Sequence, residues 1–213
     1  THSIPPSINH LVLLADLGLS FNMLTGTIPD LSRLTRLSFL DLGFNMLNGT
    51  VSSSIASLKL LTLLGLSFNM LTGTIPLFMN DLTGLIYYYF DSNMLTGTVT
   101  QSFESLSHIR YLYLSDNTFT GSFPSSGLQY LTNLTDFEVN GNLFIGTLPN
   151  TMALLPLLQI IFFQDNLFTG PITKIFNGST QLYLSNIQLS NNQLTGNLPE
   201  QLFRHLPSLE AFS

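Results

Sequence analysis

"FNMLTGTIP" stands at residues 21–29 and recurs letter for letter at 68–76, with "FNMLNGTV" between them at 44–51 and "SNMLTGTV" after them at 92–99. A phrase rewritten at a fixed interval marks a repeat architecture, in which one structural unit stacks on copies of itself. Counted from the asparagine of the phrase, Asn22, Asn45, Asn69, Asn93, Asn117, Asn142, Asn166 and Asn192 lie 23, 24, 24, 24, 25, 24 and 26 residues apart. Each is followed four places later by a glycine, from Gly26 and Gly49 to Gly170 and Gly196. Apolar residues recur eight, five and three places before the asparagine and two after it, as Leu37, Leu40, Leu42 and Leu47 do around Asn45.

The resulting line, L-x-x-L-x-L-x-x-N-x-L-x-G-x-I-P, is the leucine-rich-repeat signature. Its L-x-G-x-I-P tail resembles the plant-specific class found in receptor-like ectodomains and polygalacturonase-inhibiting proteins. The resemblance spans nearly the whole chain and implies an α/β solenoid: a right-handed superhelix of at least eight coils, each of about 24 residues, with a concave parallel β-sheet and a convex side of short helices or turns. The residues support this independently. The x-L-x-L-x stretch alternates at period two, which sends its leucines inward and their neighbours outward as in a half-exposed strand. An asparagine at every strand exit can satisfy backbone groups that a buried turn leaves unpaired. The glycine suits tight curvature or close contact between coils. These residues are structural in any such solenoid, whatever it binds.

"IPPSI" at residues 4–8 reads as the tail of an earlier coil, and "LPSLEAF" at 206–212 opens another. Residues 1–213 are therefore expected to form one solenoid segment, cut within a repeat at both ends and lacking the polar caps that close such stacks. The resemblance implies cysteine pairs in those caps, and this sequence has no cysteine. That excludes disulfides, cysteine nucleophiles and thiolate metal sites here.

Only 8% of the residues are charged, against about 25% in an average soluble domain. No apolar run approaches the roughly 20 residues that span a bilayer; "ALLPLLQIIFF" at 153–163 is short and keeps the repeat register. No membrane insertion is expected in this segment. Asn48, Asn133 and Asn177 head Asn-x-Ser/Thr triplets and are candidate glycosylation sites. With a surface rich in serine and threonine they favour a secreted or cell-surface protein, an intracellular setting staying open.

Enzyme chemistry finds no footing. His2, His10, His108 and His205 form no catalytic spacing with a nucleophile or carboxylate, and the glycines are isolated, not clustered as phosphate loops require. No cofactor or metal is expected. Asp136 and Glu138 share a strand face and read as a solvated acidic edge.

The outward strand positions say more. Six residues before the asparagines the column reads Asp16, Phe39, Leu63, Tyr87, Tyr111, Asp136, Ile160, Asn186; four before, it reads Gly18, Asp41, Gly65, Tyr89, Tyr113, Glu138, Phe162, Gln188. Tyr87, Tyr89, Tyr111 and Tyr113 should form a two-by-two block on strands about 4.8 Å apart. Exposed aromatic clusters are favoured anchoring material, although cross-strand stacking for stability would select the same residues. Seven carboxylates, Asp16, Asp41, Asp91, Asp116, Asp136, Glu138 and Asp165, face one cation, Arg110, on this side, a balance equal to the whole net charge of −6. Nucleic acid is thereby disfavoured. A protein, peptide or glycan ligand suits it, anchored on the tyrosines and Phe162 with Asp136 and Glu138 in polar contact.

A second array follows the asparagine: Thr25/Thr27, Thr72/Thr74, Thr96/Thr98 and their counterparts form a Thr-Gly-Thr ladder. It resembles ice-binding solenoids, so an ice-binding protein is the alternative reading, alongside a structural subunit of a larger assembly. Threonine also suits a second short strand for purely structural reasons.

Overall fold

The computed structural model describes residues 2–99, 103–176, 180–198 and 206–213. Among them the coil repeats as strand, asparagine turn, second strand and, in most coils, a short 3-10 turn. The first strands, from Asp16–Gly18 through Phe39–Asp41, Leu63–Gly65, Tyr87–Tyr89, Tyr111–Tyr113, Asp136–Glu138, Ile160–Phe162 and Asn186–Gln188 to Ala211–Phe212, join in chain order as a nine-stranded parallel sheet. The second strands, from Thr25–Thr27 and Met46–Thr50 to Leu167–Pro171 and Gln193–Thr195, form an eight-stranded parallel sheet.

The central residue of each three-residue first strand is buried and its neighbours mostly are not, as the period-two reading requires. Leu37, Leu40, Leu42 and Leu47 are fully enclosed. The same positions hold larger rings further along, including Phe90, Phe137, Phe144, Phe163 and Phe168, and the core runs continuously along the axis. Proline introduces the convex turns Pro6–His10, Leu77–Asp81, Asn150–Leu154 and Ile172–Ile175, where Pro5, Pro76, Pro149 and Pro171 hold extended backbone at the cap. Their fixed φ suits such an entry.

The asparagine ladder binds coil to coil. Asn69 donates through Nδ2 to the carbonyls of Leu66 and Ser67 in its own coil, 3.1 and 3.2 Å away, and to that of Leu42 in the coil before, at 3.0 Å. Its Oδ1 accepts the Leu47 amide at 2.9 Å. Asn45, Asn93, Asn117, Asn142, Asn166 and Asn192 repeat the pattern. To aim the side chain back in this way, the residue before each asparagine turns left-handed: Phe21, Phe44, Phe68, Ser92, Asp116, Gly141, Asp165 and Asn191 all have φ between 51° and 62°.

The second sheet departs from the straight ladder expected of it. Thr50 lies opposite Thr72, and Thr98 opposite Thr120, so successive coils are staggered by two residues. The hydroxyls of Thr72, Thr96 and Thr169 donate to the carbonyls of Gly49, Gly73 and Gly146 at 3.3 Å. Those three hydroxyls are therefore tied to backbone.

Candidate ligand-binding face

The first sheet aligns equivalent residues of each coil without slippage. Tyr87 pairs with Leu63 and Tyr111, and Tyr89 with Gly65 and Tyr113. Tyr87 and Tyr111 stack with centroids 5.0 Å apart and planes 4° from parallel; Tyr89 and Tyr113 lie 4.9 Å apart. Edge contacts at 6.4 Å from Tyr89 to Tyr111 and 6.3 Å from Tyr111 to Tyr113 join the four rings into one half-buried plate. Such ring geometries are worth about 0.5–1.5 kcal/mol per pair beyond area burial. The plate is therefore rigid as well as accessible.

Phe162 is half-buried opposite Glu138. Glu138 and Asp136 differ from the solvated edge expected of them. Asp136 is only 9% exposed, set between Tyr111 and Ile160 on the neighbouring strands, and accepts the Thr135 hydroxyl at 2.6 Å. Glu138 lies between Tyr113 and Phe162. Burial, then the charges of Asp91, Asp136 and Asp116, push its carboxyl up to about 7. Apolar flanks strip water from these carboxylates, a result of inter-coil neighbours and not of their own strand. Burial also raises Asp91, Asp116 and Asp136. Arg110 is exposed and lines a separate cleft with Ile86, Tyr87, His108 and Asn133, on the far side of the tyrosines from Asp91.

Beside the plate a cavity of about 300 Å³ opens between Phe21, Phe44 and Phe68 on one wall and Tyr89 and Tyr113 on another, with Gly43, Gly65 and Ser67 and the carboxylates of Asp41 and Asp91. The three phenylalanines stack at 4.1 and 4.2 Å. They occupy the position just before the asparagine, and writing out that column would have revealed them.

Of the candidate glycan acceptors, Asn48 is exposed on the second sheet. Asn133 is half-buried and donates through Nδ2 to the Ser107 carbonyl at 2.9 Å. Asn177 lies outside the described residues. Among the described residues no three histidines, aspartates or glutamates are grouped as a metal ion would need, and no helix is long and apolar enough to cross a membrane.

A family model described as Leucine Rich Repeat matches residues 108–129 and 183–205. No curated protein matches the chain. Among solved structures it is similar to a TDR receptor, with 31% identity and a TM-score of 0.90 over 99% of this chain and 36% of that one. The plant peptide hormone receptor RGFR1, in complex with RGF2, gives 29% and 0.89 over 98% of this chain and 33% of that one. A plant ice-binding protein gives 27% and 0.77 over 99% of this chain and 68% of that one. The chain thus spans about a third of the length of the two receptors.

Proposed function

We propose that this chain, a plant-type leucine-rich-repeat protein resembling receptor ectodomains, is a non-catalytic recognition module that holds a protein, peptide or glycan against its concave sheet. The observation that carries the reading is the rigid plate of Tyr87, Tyr89, Tyr111 and Tyr113, bordered by Asp136, Glu138 and Phe162. Large preordered rings in the middle of a concave surface give contact area at low entropic cost. The likeness to RGFR1, whose structure holds RGF2, supports a peptide. The same likeness and the exposed candidate glycan acceptor at Asn48 support a secreted or cell-surface setting.

The test is the affinity of peptide and oligosaccharide panels for the folded chain and for a Tyr89→Ala, Tyr113→Ala double variant with unchanged circular dichroism. Binding should fall by tenfold or more, about 1.4 kcal/mol. Unchanged affinity would remove the tyrosines from the site.

A second reading rests on the other sheet. Thr27, Thr50, Thr98 and Thr147 on that sheet and Thr74 just past its strand are exposed, and a plant ice-binding protein is similar in fold. Inhibition of ice recrystallisation by the purified chain, lost on replacing Thr74 and Thr98 with bulky charged residues, would support it. No inhibition at all would end it.

A further inference from the structure

Phe21, Phe44 and Phe68 stack on one another in strained backbone and still leave their rings open to solvent. Each is left-handed, at φ of 56°, 52° and 53°, a conformation that costs a residue with a β-carbon about 1–2 kcal/mol. Other coils fill the same position with Ser92, Asp116, Gly141, Asp165 and Asn191, small or polar residues that suit it better. The three rings stay 75%, 40% and 46% exposed, so a large part of each face is open to a ligand. Strained, exposed aromatic residues gathered in one place point to a site.

The cavity they wall is built to receive something. Its glycines make room for a carboxylate: a β-carbon at Gly65 would stand 2.6 Å from Asp41 Oδ1, which also accepts the Gly43 amide at 3.0 Å. Asp91 accepts the Ser67 hydroxyl, and burial pushes its carboxyl above the ordinary range. Two carboxylates are thus fixed among aromatic faces, and among the described residues no basic side chain lines the cavity to neutralise them. An occupant carrying positive charge would relieve that desolvation, whereas an anion would add to it.

We propose that this cavity is a socket for an arginine side chain of a peptide bound along the concave face, with Asp41 and Asp91 pairing the guanidinium between the rings of Phe44, Phe68 and Tyr89. The inference rests on the concave-face reading above and names the chemistry of its ligand. A guanidinium is planar, forks onto carboxylates and stacks on aromatic faces, and it sheds water more readily than an ammonium. A neutral sugar would stack on the same rings but leave both carboxylates without a counter-charge.

The experiment selects short random peptides from a phage library on the folded chain. Selected peptides should be enriched in arginine, and changing that arginine to citrulline should weaken binding about tenfold or more. Asp41→Asn with Asp91→Asn, amides that still accept from Gly43 and Ser67, should produce a similar loss. Glu104→Gln, a charge change outside the cavity, should produce none; an equal loss there would mean unspecific attraction and overturn the socket. Tyr87→Ala with Tyr111→Ala, rings that do not line the cavity, separates the two readings. Peptides without arginine that still lose affinity on that change would overturn the socket and keep the concave face. Binding confined to oligosaccharides would do the same, and failure to select any ligand would count against both.

Discussion

The γ-methyl of Thr98 sits over Gly121 of the next coil, where a β-carbon on that glycine would lie 2.8 Å from Thr98 Cγ2. The same relation joins Thr27 to Gly49 and Thr74 to Gly97 at 2.8 Å, and Thr50 to Gly73 and Thr147 to Gly170 at 3.0 Å. The repeated Thr-Gly-Thr is therefore a packing device: the glycine supplies both a notch and a positive φ, near 76° at Gly121. Threonine fills the notch with its methyl.

Gly121→Ala should consequently destabilise the solenoid by about 2–3 kcal/mol, strain and overlap together. Adding Thr98→Ala removes the methyl and should recover the overlap part while leaving the backbone strain. Urea titrations of the two variants check this, and no recovery in the double variant would show that backbone conformation alone selects the glycine.

Asn117 tests the ladder. Its Nδ2 serves the carbonyls of Phe90 and Ser115 at 3.0 Å and Leu114 at 3.3 Å, and its Oδ1 accepts the Leu95 amide at 2.9 Å. Asn117→Asp keeps the acceptor but sets a carboxylate against three carbonyls, so at neutral pH it should cost at least about 3 kcal/mol and more than Asn117→Ala. Below the carboxylate range the protonated acid regains a donor, and part of the loss should return. Chemical denaturation at pH 7 and pH 3.5 reads both effects; an Asp variant as stable as the parent at pH 7 would refute the donor role.

These two devices show why so much of the fold was legible in the sequence. Asn69 and Gly121 recur because every coil faces the same geometric demand, so period alone assigns them. The tyrosine plate was legible because the first sheet pairs equivalent residues, Tyr87 with Tyr111 and Tyr89 with Tyr113. The burial of Glu138 escaped a reading made along one strand, since it depends on Tyr113 and Phe162 in the coils on either side. Phe44 escaped because its position looks like a turn, and only stacking on Phe21 and Phe68 makes it a wall. The stagger of the second sheet has no counterpart in the repeat spacing.

Phe44→Asn separates a binding column from the core. The change relieves left-handed strain but forfeits stacking on two neighbours, terms of about 1–2 and 1–3 kcal/mol that nearly cancel. Stability should stay within about 1 kcal/mol of the parent, whereas Phe119→Ala, in the closed core, should cost about 3–5 kcal/mol. Thermal melts compare them. A loss at Phe44 equal to that at Phe119 would make the exposed ladder a stability element.

Glu138 gives the concave face a pH dependence whose sign is fixed. Burial between Tyr113 and Phe162, reinforced by Asp91, Asp136 and Asp116, lifts its carboxyl to about 7 from the ordinary 4.5. Between those values the folded chain holds a proton that the unfolded chain has released, so stability is highest below pH 4.5 and declines as pH rises to about 7. Glu138→Gln stays neutral throughout. It should match the parent near pH 4 and exceed it at pH 8 by about 1–2 kcal/mol, a figure discounted for the water the carboxylate still meets. That corresponds to a rise of roughly 2–8 °C in melting temperature for a chain of this size. Paired melts at the two pH values isolate Glu138, because the neighbouring aspartates titrate in both proteins. A difference that does not change with pH would mean that the carboxylate is solvated after all, as its own strand suggested.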